Sequence, residues 1–266
     1  MTTAAPTSAD RLRQVGVTLA EVFCVVGTLF GVGVIGTRVE ESSGGALAAD
    51  ATLIAPATPA FSIWSVIYLG LAAYTIWQWL PSVATSARTR ATGWLIALSM
   101  VLNAAWLLVT QQGWLWASVG VIAALVVTLG VLLRRLDETA PTSRAELVVV
   151  DGTMGLYLGW VAVATCANVT ATLVASGVDP ARPTSTFSAL AVLATAAGIG
   201  VLLATRLGGR YAVALAMAWG LGWIGVARIT DQPKSPTVGL AALAAALVVV
   251  AAASHRHRPR PIIAVP

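Results

Sequence analysis

The sequence predicts an all-α integral membrane protein with eight transmembrane helices and both termini in the cytoplasm. Three observations carry that reading. Hydrophobic residues make up 58% of the chain and charged ones 10%, whereas roughly a quarter of a soluble domain is charged. Eight apolar stretches recur, each close to the about 20 residues a helix needs to cross a hydrocarbon core. Positive charge alternates in density from one connection to the next, as a topology signal does. The runs are continuous and rich in Ala, Leu and Val, which excludes the alternating pattern of a membrane β-barrel.

The first span, 14–36, follows the polar start MTTAAPTSADRLRQ. It is longer than a signal-peptide core and no A-x-A-like site follows it directly, so it is expected to remain as helix 1. The connection Thr37 to Thr58 is the longest, carries Ser42, Ser43, Gly44, Gly45, Glu40, Glu41 and Asp50, and is suited to act as a lid over the outer face. Pro56 and Pro59 punctuate the start of the second span, 59–80. The third and fourth spans, 92–110 and 114–134, are followed by a fifth at 146–175. The loop from Asp179 to Pro183 then marks a change of character. Eight of the ten tryptophans precede it, whereas the last three spans, 185–205, 211–228 and 237–254, are mostly Ala, Val, Leu and Gly. The chain is therefore divided into a five-helix bundle (1–178), three further helices (179–254) and a basic tail (255–266) whose HRHRPRP run suits anionic lipid headgroups.

The net charge of +5 is a topology code and not a nucleic-acid signal. Counted over eight spans, one side holds Arg11, Arg13, Arg88, Arg90, Arg134, Arg135, Arg144, Arg206, Arg210, Arg256, Arg258 and Arg260. The other side holds Arg38, Arg182, Arg228 and Lys234. This bias predicts cytoplasmic termini and a multi-pass protein of the cell membrane, with the lipid bilayer as its first partner.

The richest local pattern is YLGWVAVATCAN, in which Tyr157, Trp160, Ala164 and Asn168 fall at i, i+3, i+7 and i+11 on one helix face. Facing lipid, Asn168 would lack hydrogen-bond partners, so the stripe is expected to face protein or a ligand. Trp64 and Tyr68 lie one turn apart in the second span, Asn103 and Trp106 share a face of the third, and Trp114 opens the fourth. The charge-derived topology brings all of these into the outer half of the membrane beneath the long loop. Asn103 and Asn168 suit either a pocket lining or hydrogen bonding between helices. Trp77, Trp79, Trp94 and Trp116 fit an interfacial aromatic belt.

Glu21 and Asp151 are acids within or beside spans, expected near the cytoplasmic end, and either suits proton coupling. His255 and His257 are confined to the tail and Lys234 to a loop, which leaves no intramembrane histidine ligand for a haem iron and no lysine for a retinal Schiff base. No metal spacing, phosphate loop, nucleophile–base pair or paired carboxylates are present, so no catalytic residue is expected. Cys24 and Cys166 lie in apolar spans and suit packing. GxxxG spacings at Gly27 and Gly31 and at Gly155 and Gly159 suit internal packing or a homodimer contact.

Four motifs in order, W-x3-Y at Trp64 and Tyr68, N-x2-W at Asn103 and Trp106, G-W at Gly113 and Trp114, and Y-L-x-W-x4-T-x2-N at Tyr157, Leu158, Trp160, Thr165 and Asn168, resemble the TspO/MBR family. That family is also called translocator protein, tryptophan-rich sensory protein or peripheral benzodiazepine receptor. The resemblance covers about 14–175 and leaves the last three helices outside it. It implies a five-helix bundle around a pocket that opens toward the first loop and takes porphyrin, sterol-like or other hydrophobic ligands. Carried over residue by residue, Trp106, Trp114 and Trp160 would line that pocket while Asn103 and Asn168 set the helices. A porphyrin-like tetrapyrrole is the implied ligand, with no covalently bound cofactor.

This chain departs from the family in two places. The loop lacks the family's Trp and adjacent proline pair, and VTATLV after Asn168 lacks the aromatic and basic residues of the proposed cholesterol motif. The expected function is thus a membrane ligand-binding or sensory protein. The alternative is a small proton-coupled permease using Glu21 or Asp151, with a porphyrin-degrading enzyme behind both. The last three helices are expected to cover the bundle, replace a dimer contact or build a second site.

Overall fold

Helix boundaries follow local chemistry more closely than hydropathy. A computed structural model describes residues 5–178, 180–181, 183–258 and 262; Asp179, Arg182, Arg260 and most of the tail beyond Arg258 lie outside them. The first helix, α1, runs Ser8–Gly31, six residues earlier than the apolar run begins. The cause is a capping box in which Thr7 and Asp10 satisfy each other's backbone N–H groups. Asp10 also accepts from Arg13 at 2.9 Å and from Arg90 at 2.6 Å, so the polar first turns are neutralised within the protein.

Loop residues 32–57 lead to a 3-10 turn at Thr58–Ser62, with Pro59 near its start, and then to α2, Ile63–Trp77. After a short helical turn at Pro81–Ala84, α3 (Ala87–Gln111) begins where the Ser86 hydroxyl accepts from the Thr89 N–H. The fourth helix, α4, is Leu115–Asp137 and ends on Arg134 and Arg135, which complement its dipole. The fifth span is not one uniform helix: Arg144–Glu146 passes through a π-helical stretch, Leu147–Gly152, into α5, Thr153–Ala175. The remaining helices are α6 (Thr184–Arg206), α7 (Tyr211–Thr230) and α8 (Pro236–Arg256). Gly208 and Gly209 both take positive φ in the tight α6–α7 turn, a conformation that suits glycine.

All eight spans are long and apolar enough to cross a membrane, and the described residues include no strand. The protein is a multi-pass, all-helical membrane protein. The central helix is α5, packed against α2, α4, α6 and α7; α1 lies along α3, and α8 bridges α6 and α7.

Both GxxxG spacings are used inside this packing. A Cβ on Gly27 would lie 2.8 Å from Ala104, and one on Gly31 would lie 2.6 Å from Leu107, both on α3. A Cβ on Gly155 would lie 2.8 Å from Ala212, and one on Gly159 would fall on the Val213 carbonyl oxygen of α7. Small residues let these backbones approach where lipid offers no competing hydrophobic drive.

The two ends of the bundle differ. At one, Arg13 donates to Ala84 O at 2.6 Å, while Arg88 pairs with Glu146 and Asp151 at 3.2 and 2.7 Å. There too Arg210 pairs with Asp151 and Asp137 at 2.8 and 2.9 Å. The other end holds the 32–57 loop, the α3–α4 turn and Arg228. The starts of α1, α3, α5 and α7 and the end of α8 thus share the arginine-rich end.

Candidate functional site

Two adjoining cavities lie beneath the loop, an outer one between α1, α2 and α3 and an inner one between the Thr58–Ser62 turn, α3 and α5. The outer cleft, about 390 Å³, is lined by Thr28, Arg38, Phe61, Trp64, Tyr68 and Trp106 among others. The inner cavity, about 60 Å³, is walled by Trp160, Ala164, Asn168 and Ala171 of α5 and by Ala46, Leu47, Ala48, Thr52, Ala55 and Pro56 of the loop. Val39, Phe61 and Trp106 face both. The long loop therefore forms part of the wall of both cavities.

Aromatic contacts set the floor. Trp64 stacks on Tyr68 with centroids 5.1 Å apart and planes 16° from parallel. Its edge meets Tyr157 at 5.8 Å and Trp160 at 6.3 Å, and Phe61 meets Trp160 at 5.7 Å, all near perpendicular. Such edge-to-face and offset pairs are the favoured geometries of quadrupolar rings and hold each plane in place.

Polar groups tie the rings to the helices. The Trp106 Nε1–H donates to Asn168 Oδ1 at 3.2 Å, and Asn168 Nδ2 donates to Ser118 Oγ of α4 at 3.0 Å. Asn168 therefore joins α3, α4 and α5 through one amide. Asn103 Nδ2 donates to Tyr68 Oη at 3.0 Å, and Tyr157 Oη donates to Ser99 O at 3.1 Å. The Trp160 Nε1–H is buried with no acceptor.

The stripe Tyr157, Trp160, Ala164 and Asn168 faces protein along its whole length, as its spacing predicts. Its members divide by role: Trp160, Ala164 and Asn168 reach the inner cavity, whereas Tyr157 is fully buried behind Trp64. Asn103 is a link between α2 and α3 and lines neither cavity. Trp114 is separate from the rest. It caps the N-terminus of α4, is 61% exposed and lines neither cavity. Of the four tryptophans read as a belt, Trp79, Trp94 and Trp116 are exposed, whereas Trp77 is half-buried against the core.

The two acids also separate. Because α1 starts at Ser8, Glu21 lies past the middle of its 24 residues, not near one end, and its Oε2 is buried without a hydrogen-bond partner. Asp151 instead receives hydrogen bonds from both Arg88 and Arg210, which commits it to joining α3, α5 and α7. Burial lowers the Arg210 pKa, and the Asp151 charge acts against that shift.

Four residues outside the sequence-derived set belong to the site's construction. Phe61 lies one turn before Trp64, so its spacing was a usable signal. Ser118 supplies the partner that the Asn168 stripe required. Arg38 brings a guanidinium to the cleft mouth, 3.7 Å from Glu40. Arg228 of α7 is fully buried and donates to Ala49 O and Thr52 O of the loop, each at 3.0 Å.

The TSPO-like protein family matches this chain over residues 18–255. No curated protein and no solved structure matches it. The match runs through α6 and α7 and almost to the end of α8, so the last three helices lie inside it, not beyond it. Since almost the entire eight-helix body falls within the match, this membrane protein belongs to the TSPO-like protein family.

Proposed function

We propose that this protein binds a hydrophobic, porphyrin-like ligand in the aromatic cleft beneath the 32–57 loop, acting as a ligand-binding or sensory protein of the cell membrane. Both termini are assigned to the cytoplasm, on the bias of arginines toward the end that carries them. The observation that carries the reading is the shared wall: Trp106 borders both the 390 Å³ cleft and the inner cavity, so one ligand can span them across its indole. The cleft alone falls within the about 300–1,000 Å³ usual for small-molecule sites.

The chemistry of the lining suits a flat apolar ligand with polar edges. Trp64, Trp106 and Phe61 supply ring surface. The unpartnered Trp160 Nε1–H offers a donor whose desolvation has already occurred, and Arg38 offers a cation for a carboxylate at the mouth. Binding, not catalysis, is what these groups supply.

The test is a tryptophan-fluorescence titration of purified protein with protoporphyrin. Trp106→Ala and Trp160→Ala are expected to weaken binding, and Trp114→Ala to leave it unchanged. Equal affinity in all four proteins sinks the site. A second reading, proton-coupled transport, is favoured by the unpartnered Glu21 carboxyl alone. It predicts that Glu21→Gln abolishes pH-driven uptake in proteoliposomes.

A further inference from the structure

Arg228 is an unusual residue for the end of an apolar helix. It has no exposed surface, and among the described residues it forms no ion pair. Burying a guanidinium in this way is costly unless its donors are used. Here the donors of both terminal nitrogens go to backbone, while Nε is buried without a partner. The two terminal nitrogens donate to Thr52 O and Ala49 O at 3.0 Å, to Pro233 O at 3.2 Å and to Gln232 O at 3.5 Å.

Those acceptors fall in two groups: the first pair belongs to the loop over the ligand site, the second to the α7–α8 turn. The loop segment 46–56 has no regular helix or strand to satisfy its carbonyls, and a planar fork of donors is well shaped to collect several of them. Two further bonds join the same surfaces. Trp219 Nε1 donates to Ala60 O at 2.8 Å and Ala57 N donates to Trp223 O at 3.4 Å. Every residue that the loop contributes to the inner cavity, apart from Val39, lies between Ala46 and Pro56. Helix α7 itself contributes no side chain to either cavity.

We propose that Arg228 is a positioning residue for ligand binding, holding loop segment 46–56 as the fixed outer wall of the cavity. Helix α7 thereby governs how tightly the ligand is held without touching it. This proposal rests on the ligand-binding reading above, and it gives α6–α8 a task in that function: they carry the post to which the lid is fastened. Without the guanidinium, the lid carbonyls turn to water and the closed wall is populated for a smaller fraction of the time. Affinity falls by that fraction.

Two measurements on the full-length protein in detergent micelles decide the matter. The first is hydrogen exchange of the 46–56 amides without ligand, in wild type and Arg228→Gln. Exchange is expected to accelerate in this segment and to stay unchanged in α5; equal lid exchange overturns the proposal whether or not protoporphyrin binds. The second is protoporphyrin affinity, with Trp106→Ala as the reference for the cleft itself. Arg228→Gln is expected to weaken binding about tenfold, the effect of leaving such buried polar groups unmatched. Unchanged affinity in Arg228→Gln beside weakened affinity in Trp106→Ala overturns the positioning role and leaves the cleft standing. If Trp106→Ala binds normally, the cleft reading is what fails. Should Arg228→Gln not fold, Arg228→Lys keeps the charge and loses the fork. Wild-type lid exchange and affinity in that variant overturn the proposal equally.

Discussion

The Trp106 indole N–H points at the Asn168 side-chain oxygen across 3.2 Å, joining α3 to α5 along the boundary between the two cavities. The same amide gives a proton to Ser118, so its orientation is determined from both sides. Asn168→Leu removes the acceptor and leaves a buried indole N–H and a serine hydroxyl short of a partner. The expected outcome is a stability loss of about 1–3 kcal/mol, read by thermal unfolding in detergent, together with weaker protoporphyrin quenching. Ser118→Ala, which takes away only the second partner, is expected to show the smaller effect on both.

Asp151 stands between two buried guanidinium groups, Arg88 at 2.7 Å and Arg210 at 2.8 Å. Asp151→Asn keeps the shape and removes the charge, leaving two cations with less compensation. Breaking a buried pair in this manner costs about 3–5 kcal/mol. Thermal unfolding should show the loss. Undiminished stability would mean that Glu146 and Asp137 suffice to hold both arginines.

Gly159 lies against the backbone of α7, where an added Cβ would strike the Val213 carbonyl oxygen and sit 2.9 Å from Ala216. Gly222, on α7, has nothing within 4 Å of the same construction. Gly159→Leu is expected to separate α5 from α7 and to lower the yield of monodisperse protein. Gly222→Ala is expected to purify as wild type. Size-exclusion profiles of the two variants make the comparison, and similar behaviour would remove close α5–α7 contact as the reason for this glycine.

Glu21 has a buried carboxyl oxygen without a partner halfway along α1. A neutral amide of nearly the same shape is cheaper to hold in such surroundings than a carboxylate. Glu21→Gln is therefore expected to retain the fold and match or exceed the wild-type melting temperature at neutral pH. A clear drop in melting temperature would show that the acid has a structural partner.

The fold was legible because its signals are local. An apolar run of sufficient length has few options in lipid, so the number of spans follows from composition. The start of α1 was less legible, since Asp10 and the two arginines it pairs with read as solvent-facing charge until α3 is brought beside them. The stripe from Tyr157 to Asn168 was legible for the same reason as the spans: a polar amide at helical spacing demands a protein partner. Which partner it takes is a matter of packing. Ser118 and Trp106 come from two other helices, and nothing in the periodicity of α5 selects them. Trp114 illustrates the opposite case, a motif match whose exposed side chain lines neither cavity. In the sequence Arg228 reads as one more topology charge, because its loop acceptors lie 176 and 179 residues away in the chain and all its acceptors are backbone atoms, which carry no residue-type signal.

Helix α7 is fastened near both tips, by Arg210 to carboxylates at one end of the bundle and by Arg228 to loop carbonyls at the other. A shift of one helical turn along its axis, about 5.4 Å, would break both sets of bonds at once. Piston-like displacement of that size is thus closed to this helix unless both anchors are given up.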